Sequence, residues 1–460
     1  MRLAVIGAGP GGYVAAIKGA QLGAQVTIVE KNEVGGTCLN WGCIPTKSLI
    51  ASAEALNKAR RLAEYGIDLS GEASPDILKI MARKDRIVAT QAKGIRAILK
   101  SRDIRLVEGQ GRLITKQGIE IKKGDGTSER LEADRIIIAT GSSPAGLPML
   151  PFDGDSILSS DDVLMLKTLP QSLIIIGAGA IGCEFACIFS EFGVDVTIIE
   201  LLDRAVATED HEISEILERE LKKKKVRLFT GVKVESVEKR QGVTLLLDNG
   251  KEIKADKILV SVGRKFNTDN LGLEDLQIEK GPKGEILVDN RLETNAKGIF
   301  AIGDVVGGML LAHVASKEGV VAVSNACGID AVMDYSAVPS AIFTSPEIGS
   351  VGLREFEAKG KGINIKTGHF QFRSLARAHT IGDIAGIIKI VADAGTDKVL
   401  GVHIIGAGAS ELVHQGAMAI RAGIRSQEVA SMIHAHPTLS EGIMEAMADV
   451  NGDAIHAVRQ

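Results

Sequence analysis

The chain has 460 residues, 45% of them hydrophobic, with 54 Lys and Arg against 58 Asp and Glu and a formal net charge of −4. This is length for about three domains with sizeable cores, and a charge balance without the footprint of a nucleic-acid or membrane-surface binder. Five cysteines in so long a chain exclude a disulfide-stapled scaffold and favour a reducing, cytoplasmic setting, in which a persistent cysteine pair is catalytic or redox-sensing.

The N-terminal apolar run Leu3-Ala4-Val5-Ile6 is too short for a signal segment and leads directly into Gly7-Ala8-Gly9-Pro10-Gly11-Gly12. The pattern is a buried strand, a G-x-G-x-x-G turn on Gly7, Gly9 and Gly12, a helix, and a second strand Gln25–Val29 ending in Glu30. Such a unit holds a dinucleotide: the glycines let backbone approach a pyrophosphate at a helix N-terminus, and the acid accepts from ribose hydroxyls.

Next comes Gly35-Gly36-Thr37-Cys38-Leu39-Asn40-Trp41-Gly42-Cys43-Ile44-Pro45-Thr46-Lys47. Pro45 is expected at the first position of a helix, which places Cys43 beside the helix N-terminus. The partial positive charge there, with Lys47 one turn in, favours a thiolate. The pair is suited to a small-loop disulfide that exchanges with a dithiol. A zinc knuckle with Cys183 and Cys187 as its second half is the rival reading. It is disfavoured because that second pair lies in an apolar helical run, where cysteine behaves as a small hydrophobe. No metal is expected.

A helical hairpin is predicted over Ser52 to Lys100, broken at Gly71–Asp76. The dinucleotide unit then returns as Ser172–Ile176, Gly177-x-Gly179-x-x-Gly182, and Asp195–Ile199 ending in Glu200. Ala133–Gly141 and Ala255–Gly263 repeat as well, pointing to an internal duplication and two bound dinucleotides. Leu173 to Phe189 is the longest apolar region, but it holds Glu184 and the glycine motif, so no membrane span is expected. Glu200 would repel a 2′-phosphate, and no arginine sits among Leu201, Leu202 and Asp203, so NAD is favoured over NADP at the second site. The first site, just ahead of the cysteines, calls for a cofactor that exchanges electrons with a disulfide, as a flavin does. The basic run Lys222–Lys225 fits a solvated helix C-terminus. Beyond it, Gly298–Val305 is a strand ending in Gly303-Asp304, whose acid suits a polyol hydroxyl. From about Val338 the texture becomes α+β without a nucleotide motif, and His436 with Glu441 can form an oriented general base.

Together, the segment from Gly36 to Lys47, both glycine motifs, Gly303-Asp304, Leu311-Ala312-His313 and His434-Ala435-His436-Pro437-Thr438-Leu439-Ser440-Glu441 make the chain resemble the flavin-dependent pyridine nucleotide disulfide oxidoreductases. Among them it is similar to the dihydrolipoamide dehydrogenases, over essentially the whole length. The resemblance implies an α/β fold with two Rossmann-like dinucleotide-binding domains and a C-terminal α+β dimerisation domain. The implied division is 1–143 (FAD, with the redox pair), 144–264 (NAD), 265–337 (completing the FAD domain) and 338–460 (interface). It also implies FAD on Gly7, Gly9, Gly12, Glu30, Lys47, Gly111, Thr140, Gly141, Ser142, Asp304, Leu310, Leu311, Ala312 and His313. NAD would lie on Gly177, Gly179, Gly182, Glu184, Glu200, Val234 and Gly263, with Glu184 paired to Lys47. Cys43 would adjoin the flavin, Cys38 would exchange with substrate, and His436, oriented by Glu441, would serve the cysteines of the partner in a homodimer. Electrons would pass from dihydrolipoamide on a carrier protein of a 2-oxo acid dehydrogenase complex or the glycine cleavage system.

Trp41 stands in a variable slot, and Phe266 replaces the usual proline at what is expected to be a turn. Glutathione reductase-like enzymes are disfavoured by Glu200 and the residues after Pro437. Mercuric reductase-like enzymes carry a terminal cysteine pair, whereas this sequence ends Ile455-His456-Ala457-Val458-Arg459-Gln460, and transhydrogenase-like enzymes lack the paired cysteines. A nucleotide sensor without chemistry would have no use for the intact set Cys38, Cys43, Lys47, His436 and Glu441.

Overall fold

The computed structural model describes residues 1–240 and 242–457; Val458, Arg459 and Gln460 lie outside them. In the first unit, β1 (Arg2–Ile6), α1 (Pro10–Gln21) and β2 (Gln25–Glu30) lead through α2 (Gly36–Asn40) to α3 (Cys43–Arg60), α4 (Ile77–Ser101) and β3 (Arg105–Glu108). An antiparallel meander β4 (Gln110–Thr115), β5 (Gly118–Lys122), β6 (Ser128–Glu132) follows, then β7 (Arg135–Ile138) and β8 (Ser142–Pro144).

The second unit contains β9 (Ile157–Leu158), α5 (Ser160–Val163), β10 (Ser172–Ile176), α6 (Ala180–Glu191), β11 (Asp195–Ile199), α7 (His211–Lys223) and β12 (Arg227–Phe229). Its own meander is β13 (Val234–Arg240), β14 (Gly242–Leu247) and β15 (Glu252–Ala255), and it closes with β16 (Lys257–Val260). The chain returns by β17 (Arg264–Phe266), β18 (Ile299–Ala301) and α8 (Ala312–Ala326). The last unit holds β19 (Ser340–Ile342), β20 (Ile348–Gly352), α9 (Glu355–Gly360), β21 (Ile365–Gln371), α10 (Ala376–Ile381), β22 (Ile387–Asp393), β23 (Val399–Ile405), α11 (Ala409–Ala422), α12 (Ser426–Ala430) and α13 (Glu441–Asp449).

The first sheet runs β18-β7-β1-β2-β3 and the second β12-β11-β10-β16-β9, both through parallel pairings. Their central strands are apolar on both faces, because one face packs on helices and the other on the unit's own antiparallel meander. Residues 299–301 pair beside β7 although more than 150 positions later in the chain, so the second unit is inserted into the first. The two crossings between units, Ser142–Pro144 and Arg264–Phe266, lie together as an antiparallel ribbon with Phe266 opposite Ser142. The expected turn at Phe266 is therefore strand: an aromatic residue fits a pleated surface, and without proline its N–H is free to join a ladder.

The third sheet is antiparallel throughout, ordered β19-β20-β23-β22-β21. One rung across it is polar throughout: Ser340, Ser350, His403, Lys389 and His369 are successive cross-strand partners. Cross-strand partners share a face, and here that face meets the second unit at the start of α7. The Lys389 ammonium, 1% exposed, donates to Asp210 (2.9 Å), Glu212 (2.6 Å) and Glu355 (2.5 Å). His369, hydrogen-bonded to Glu212 at 3.1 Å, is the leading cause that lowers the Glu212 carboxyl to about 2, with Lys389 adding to it against the opposing effect of burial.

Replacing Lys389 with methionine strands the buried Asp210 carboxylate in a low dielectric, takes a partner from Glu212 and Glu355 beside it, and is expected to remove about 3–5 kcal/mol at neutral pH, measured by denaturant unfolding. Carboxyls held low stabilise the fold above their unfolded values near 4 and lose that contribution as pH falls through their folded values. The deficit of the variant should therefore shrink between about pH 4 and 2. A deficit constant with pH would disprove the ionic origin.

Candidate active site

Two glycines fix the cysteine segment. Gly36 (φ +58°) lies so close to the first glycine turn that an added Cβ would stand 2.6 Å from Gly9 Cα, and the Gly35 N–H donates to the Ala8 carbonyl at 2.8 Å. The redox segment is thereby pinned against the turn. Cys38 sits in α2, and Cys43 is the first residue of α3, whose N-cap is Gly42 (φ −139°). The helix starts two residues before the expected place: Pro45 is its third residue, tolerated because first-turn N–H groups have no intrahelical partner.

Both cysteines are free thiols, half-buried, and hydrogen-bonded to each other. The bond to Cys38 is the main cause that lowers Cys43 to about 7. Burial opposes it, while Lys47 and the helix-terminal N–H assist. The shared proton accordingly raises Cys38, and burial adds to that. One sulfur is thus a good leaving group and the other keeps its proton.

Lys47 reaches across to α6, donating to Glu184 Oε1 at 2.8 Å and Oε2 at 2.9 Å. Glu184, 5% exposed, also accepts the Phe343 N–H at 2.9 Å, and Lys47 Nζ stands 4.6 Å from the Phe343 ring centroid. One ion pair therefore joins the redox helix, the second glycine unit and the start of the third sheet. Glu184 acts electrostatically to raise the Cys43 pKa, so Glu184→Gln should move the alkylation midpoint of the reduced protein's Cys43 downward in pH. An upward or absent shift would show that Lys47 position, not Glu184 charge, controls the thiol.

The two glycine turns are geometric copies. A Cβ on Gly7 or Gly177 would meet a facing carbonyl at 2.2 or 2.5 Å, and one on Gly12 or Gly182 would meet the first glycine's own carbonyl at 1.9 or 2.0 Å. The middle glycines face open space: Gly179 has no atom within 4 Å of a Cβ and Gly9 only one, at 3.9 Å. Glu30 accepts from Ala8 N (2.6 Å) and Asn32 N (2.8 Å), as Glu200 does from Ala178 N (2.6 Å) and Leu202 N (2.7 Å). Each carboxylate retains lone pairs for further donors. The residues present fit a pyrophosphate and ribose at both turns. Arg204, the nearest cation after Glu200, is committed elsewhere, donating to the Ala207 carbonyl at 2.7 Å and lying 5.7 Å from the Phe356 ring centroid.

At the carboxyl edge of the first sheet, Asp304 accepts the Ser142 hydroxyl, and Arg264 Nε donates to that hydroxyl oxygen at 2.6 Å. Thr140 exchanges hydrogen bonds with Asn267, at 2.8 and 2.9 Å. Gly141 (φ +67°) and Gly263 (φ +135°) have open space where a Cβ would be. Gly111 permits β4 to approach the first sheet, its would-be Cβ lying 3.2 Å from Ile6. Leu310 and Leu311 lead into α8, which starts at Ala312, and His313 bonds the Pro339 carbonyl at 2.8 Å. Val234 is buried in the second unit's core, leaving its backbone as the only part able to meet a ligand.

His436 Nδ1 is 2.9 Å from Glu441 Oε1, and the other carboxylate oxygen accepts the Thr438 N–H at 2.8 Å. Burial would raise Glu441, but these two hydrogen bonds hold it below the ordinary carboxylate range. An ionised Glu441 fixes the imidazole with Nδ1 protonated and leaves Nε2 free as a base. The ring is 70% exposed, on a segment where Ile433 is 100% and Met432 59% exposed.

Sequence reasoning missed Phe343, Arg264 and Glu318. Glu318, 2% exposed, accepts the Gly303 N–H at 2.6 Å and the Tyr335 hydroxyl at 2.6 Å behind Asp304. Phe343 and Arg264 act across more than 100 residues of chain, a separation at which no local pattern signals a contact. Among the described residues, no helix is long and apolar enough to cross a membrane.

Residues 1–319 match the family model of pyridine nucleotide-disulphide oxidoreductases, and residues 338–447 match that family's dimerisation domain. The chain is 42% identical to a dihydrolipoyl dehydrogenase of Bacillus subtilis over 98% of each chain. It is 41% identical to the dihydrolipoyl dehydrogenase of Thermus scotoductus, over 100% of this chain and 99% of that one. Among solved structures, LpdA from Mycobacterium tuberculosis superposes with a TM-score of 0.92 at 31% identity, covering 97% of this chain and 99% of that one.

Proposed function

The chain belongs to the pyridine nucleotide-disulphide oxidoreductase family, and we propose that it works there as an NAD-dependent dihydrolipoyl dehydrogenase, a cytoplasmic homodimer serving lipoyl-bearing carrier proteins. The observation that carries this reading is the Cys38/Cys43 pair, with its asymmetric proton affinity, held against the first glycine turn.

In the oxidised protein Cys38 and Cys43 form a disulfide. His436 of one subunit takes a proton on Nε2 from a dihydrolipoyl thiol bound beside the cysteines of the other, while Glu441 stabilises the resulting imidazolium. The substrate thiolate attacks Cys38 Sγ, and Cys43, the sulfur of lower pKa, leaves as the thiolate. The second substrate thiol, deprotonated in turn, attacks its partner sulfur in the mixed disulfide. Cyclic lipoyl disulfide departs, and both cysteines are reduced with two electrons gained. FAD would be held by the first turn, Glu30, Lys47 and Asp304, and NAD by the second turn and Glu200; when bound they supply the flavin and hydride chemistry that no side chain can perform. Lys47 and Glu184 keep the redox helix and the second unit in register. The exposed Met432–Ile433 face beside His436 supports a partner subunit covering this segment.

The test is NADH formation from free dihydrolipoamide by the purified yellow protein. Absence of turnover in a flavin-loaded dimer would overturn the substrate assignment, with Trp41, beside the cysteines, as the first residue to examine.

A further inference from the structure

The helix α4 carries seven cations against one acid, Asp85, in a chain whose net charge is −4. Four of the cations, Lys79, Arg86, Lys93 and Lys100, are spaced by seven residues and exposed. Seven residues return a helix to within about 20° of the same direction, so the four form one stripe about 30 Å long. Cations off the stripe are spent. Lys84 is buried, donating to the Leu164 carbonyl at 2.7 Å, and Arg96 pairs with Glu33 and Glu108 at 3.5 and 3.3 Å. On the stripe only Lys79 has an acid, Asp76 at 3.2 Å; Arg86, Lys93 and Lys100 have no ion-pair partner among the described residues. Between Lys79 and Arg86, Arg83 donates to the Ser48 hydroxyl at 2.9 Å, so this face is tied directly to the helix that begins with Cys43.

We infer that the Lys79–Lys100 stripe of α4 docks the acidic face of the carrier domain that delivers the dihydrolipoyl arm. The inference rests on the dehydrogenase reading above and adds a partner surface to it. Charge complementarity selects this occupant. Screening confines an interaction to roughly 8–10 Å at physiological salt, so an incoming acidic domain responds to the local stripe and not to the molecule's overall −4. A nucleic acid is a poorer match because α4 contains no aromatic side chain on which bases could stack. A lipid surface is a poorer match because the two large apolar side chains that the helix exposes, Leu78 and Ile98, stand at its opposite ends and make no continuous face to insert. Docking through rim charges governs association and its salt dependence more than the chemical step.

The test uses the full-length flavin-loaded dimer and its R86E/K93E variant. The probe is an isolated lipoyl domain of net negative charge from a 2-oxo acid dehydrogenase complex, assayed beside free dihydrolipoamide. The variant should show a KM for the reduced domain raised about tenfold or more, a flattened salt dependence, and kcat/KM for free dihydrolipoamide within about twofold of the parent. An unchanged KM for the domain overturns the inference. So does a variant that loses its dimeric state or its turnover of free dihydrolipoamide, since the stripe would then belong to the subunit interface or the fold. Tighter binding of a single-stranded oligonucleotide or a phosphatidylglycerol vesicle than of the domain, lost in the variant, also overturns it. If the parent itself fails with free dihydrolipoamide, the dehydrogenase reading falls, while titration of the same domain onto parent and variant still decides whether the stripe binds it.

Discussion

Cys43→Ser should lower NADH formation from dihydrolipoamide by roughly 10⁴-fold or more, because a serine can neither close the disulfide nor leave as a stabilised anion. NADH oxidation by an artificial one-electron acceptor, which bypasses the dithiol, should persist and report an intact fold. The companion change, Cys38→Ala, should be equally inactive with dihydrolipoamide but carries a second signature. It removes the thiol whose hydrogen bond is the main cause of the lowered Cys43 value. A thiol held near 7 becomes thiolate as pH rises through 7, so alkylation of the reduced parent at Cys43 should rise there. In Cys38→Ala the rise should move to higher pH, leaving only Lys47 and the helix terminus to oppose burial. A midpoint that stays in place would assign the acidity to the helix instead of the neighbouring sulfur.

His436→Gln should cost about 10²–10⁴-fold in kcat with dihydrolipoamide, the range expected for loss of a positioned proton acceptor, again with acceptor activity preserved. Glutamine keeps a hydrogen bond to Glu441 but offers no basic nitrogen, so a loss confined to the dithiol reaction separates proton transfer from disturbed packing. Because the histidine is 70% exposed in the single chain, the reading that it works across the dimer makes a further demand. Mixed dimers of His436→Gln and Cys43→Ser subunits must keep one competent site of the two, formed by the unmutated histidine of one subunit and the unmutated cysteines of the other. Full inactivity of purified mixed dimers would place histidine and cysteines of the same chain together.

The local motifs were legible because each is dictated by backbone chemistry over a few residues. Gly7, Gly12, Gly177 and Gly182 admit no Cβ at all, so the two nucleotide turns are written into the sequence as glycine. Glu30 and Glu200 stand at strand ends where their carboxylates reach the turn's own N–H groups, a placement fixed by strand length. The cysteine segment, the His436–Glu441 pair five residues apart and the parallel-strand patterns are of the same kind. Where reading by pattern slipped, the margin was local too: Pro45 was expected to open the helix that Cys43 opens, and Phe266 to lie in a turn that is a strand.

The repeated unit, the chemistry available at each glycine turn and the identity of the reacting pair could be read from the residues alone, since these depend on positions within a turn or two of one another. How strongly that chemistry is biased depends on the folded chain. The proton shared between Cys38 and Cys43, five residues apart, depends on the side-chain geometry and burial of the folded segment, and the Lys47–Glu184–Phe343 connection and the ribbon joining Ser142 to Arg264 arise from side chains meeting across more than a hundred positions. The Lys389 cluster is of this kind as well: its carboxylates stand at the N-cap and first turn of α7 and in α9, and burial of Lys389 with Asp210 at a unit boundary is what makes one lysine matter. A pKa and a buried ion pair follow from local dielectric and distance, and neither quantity exists until the chain has folded.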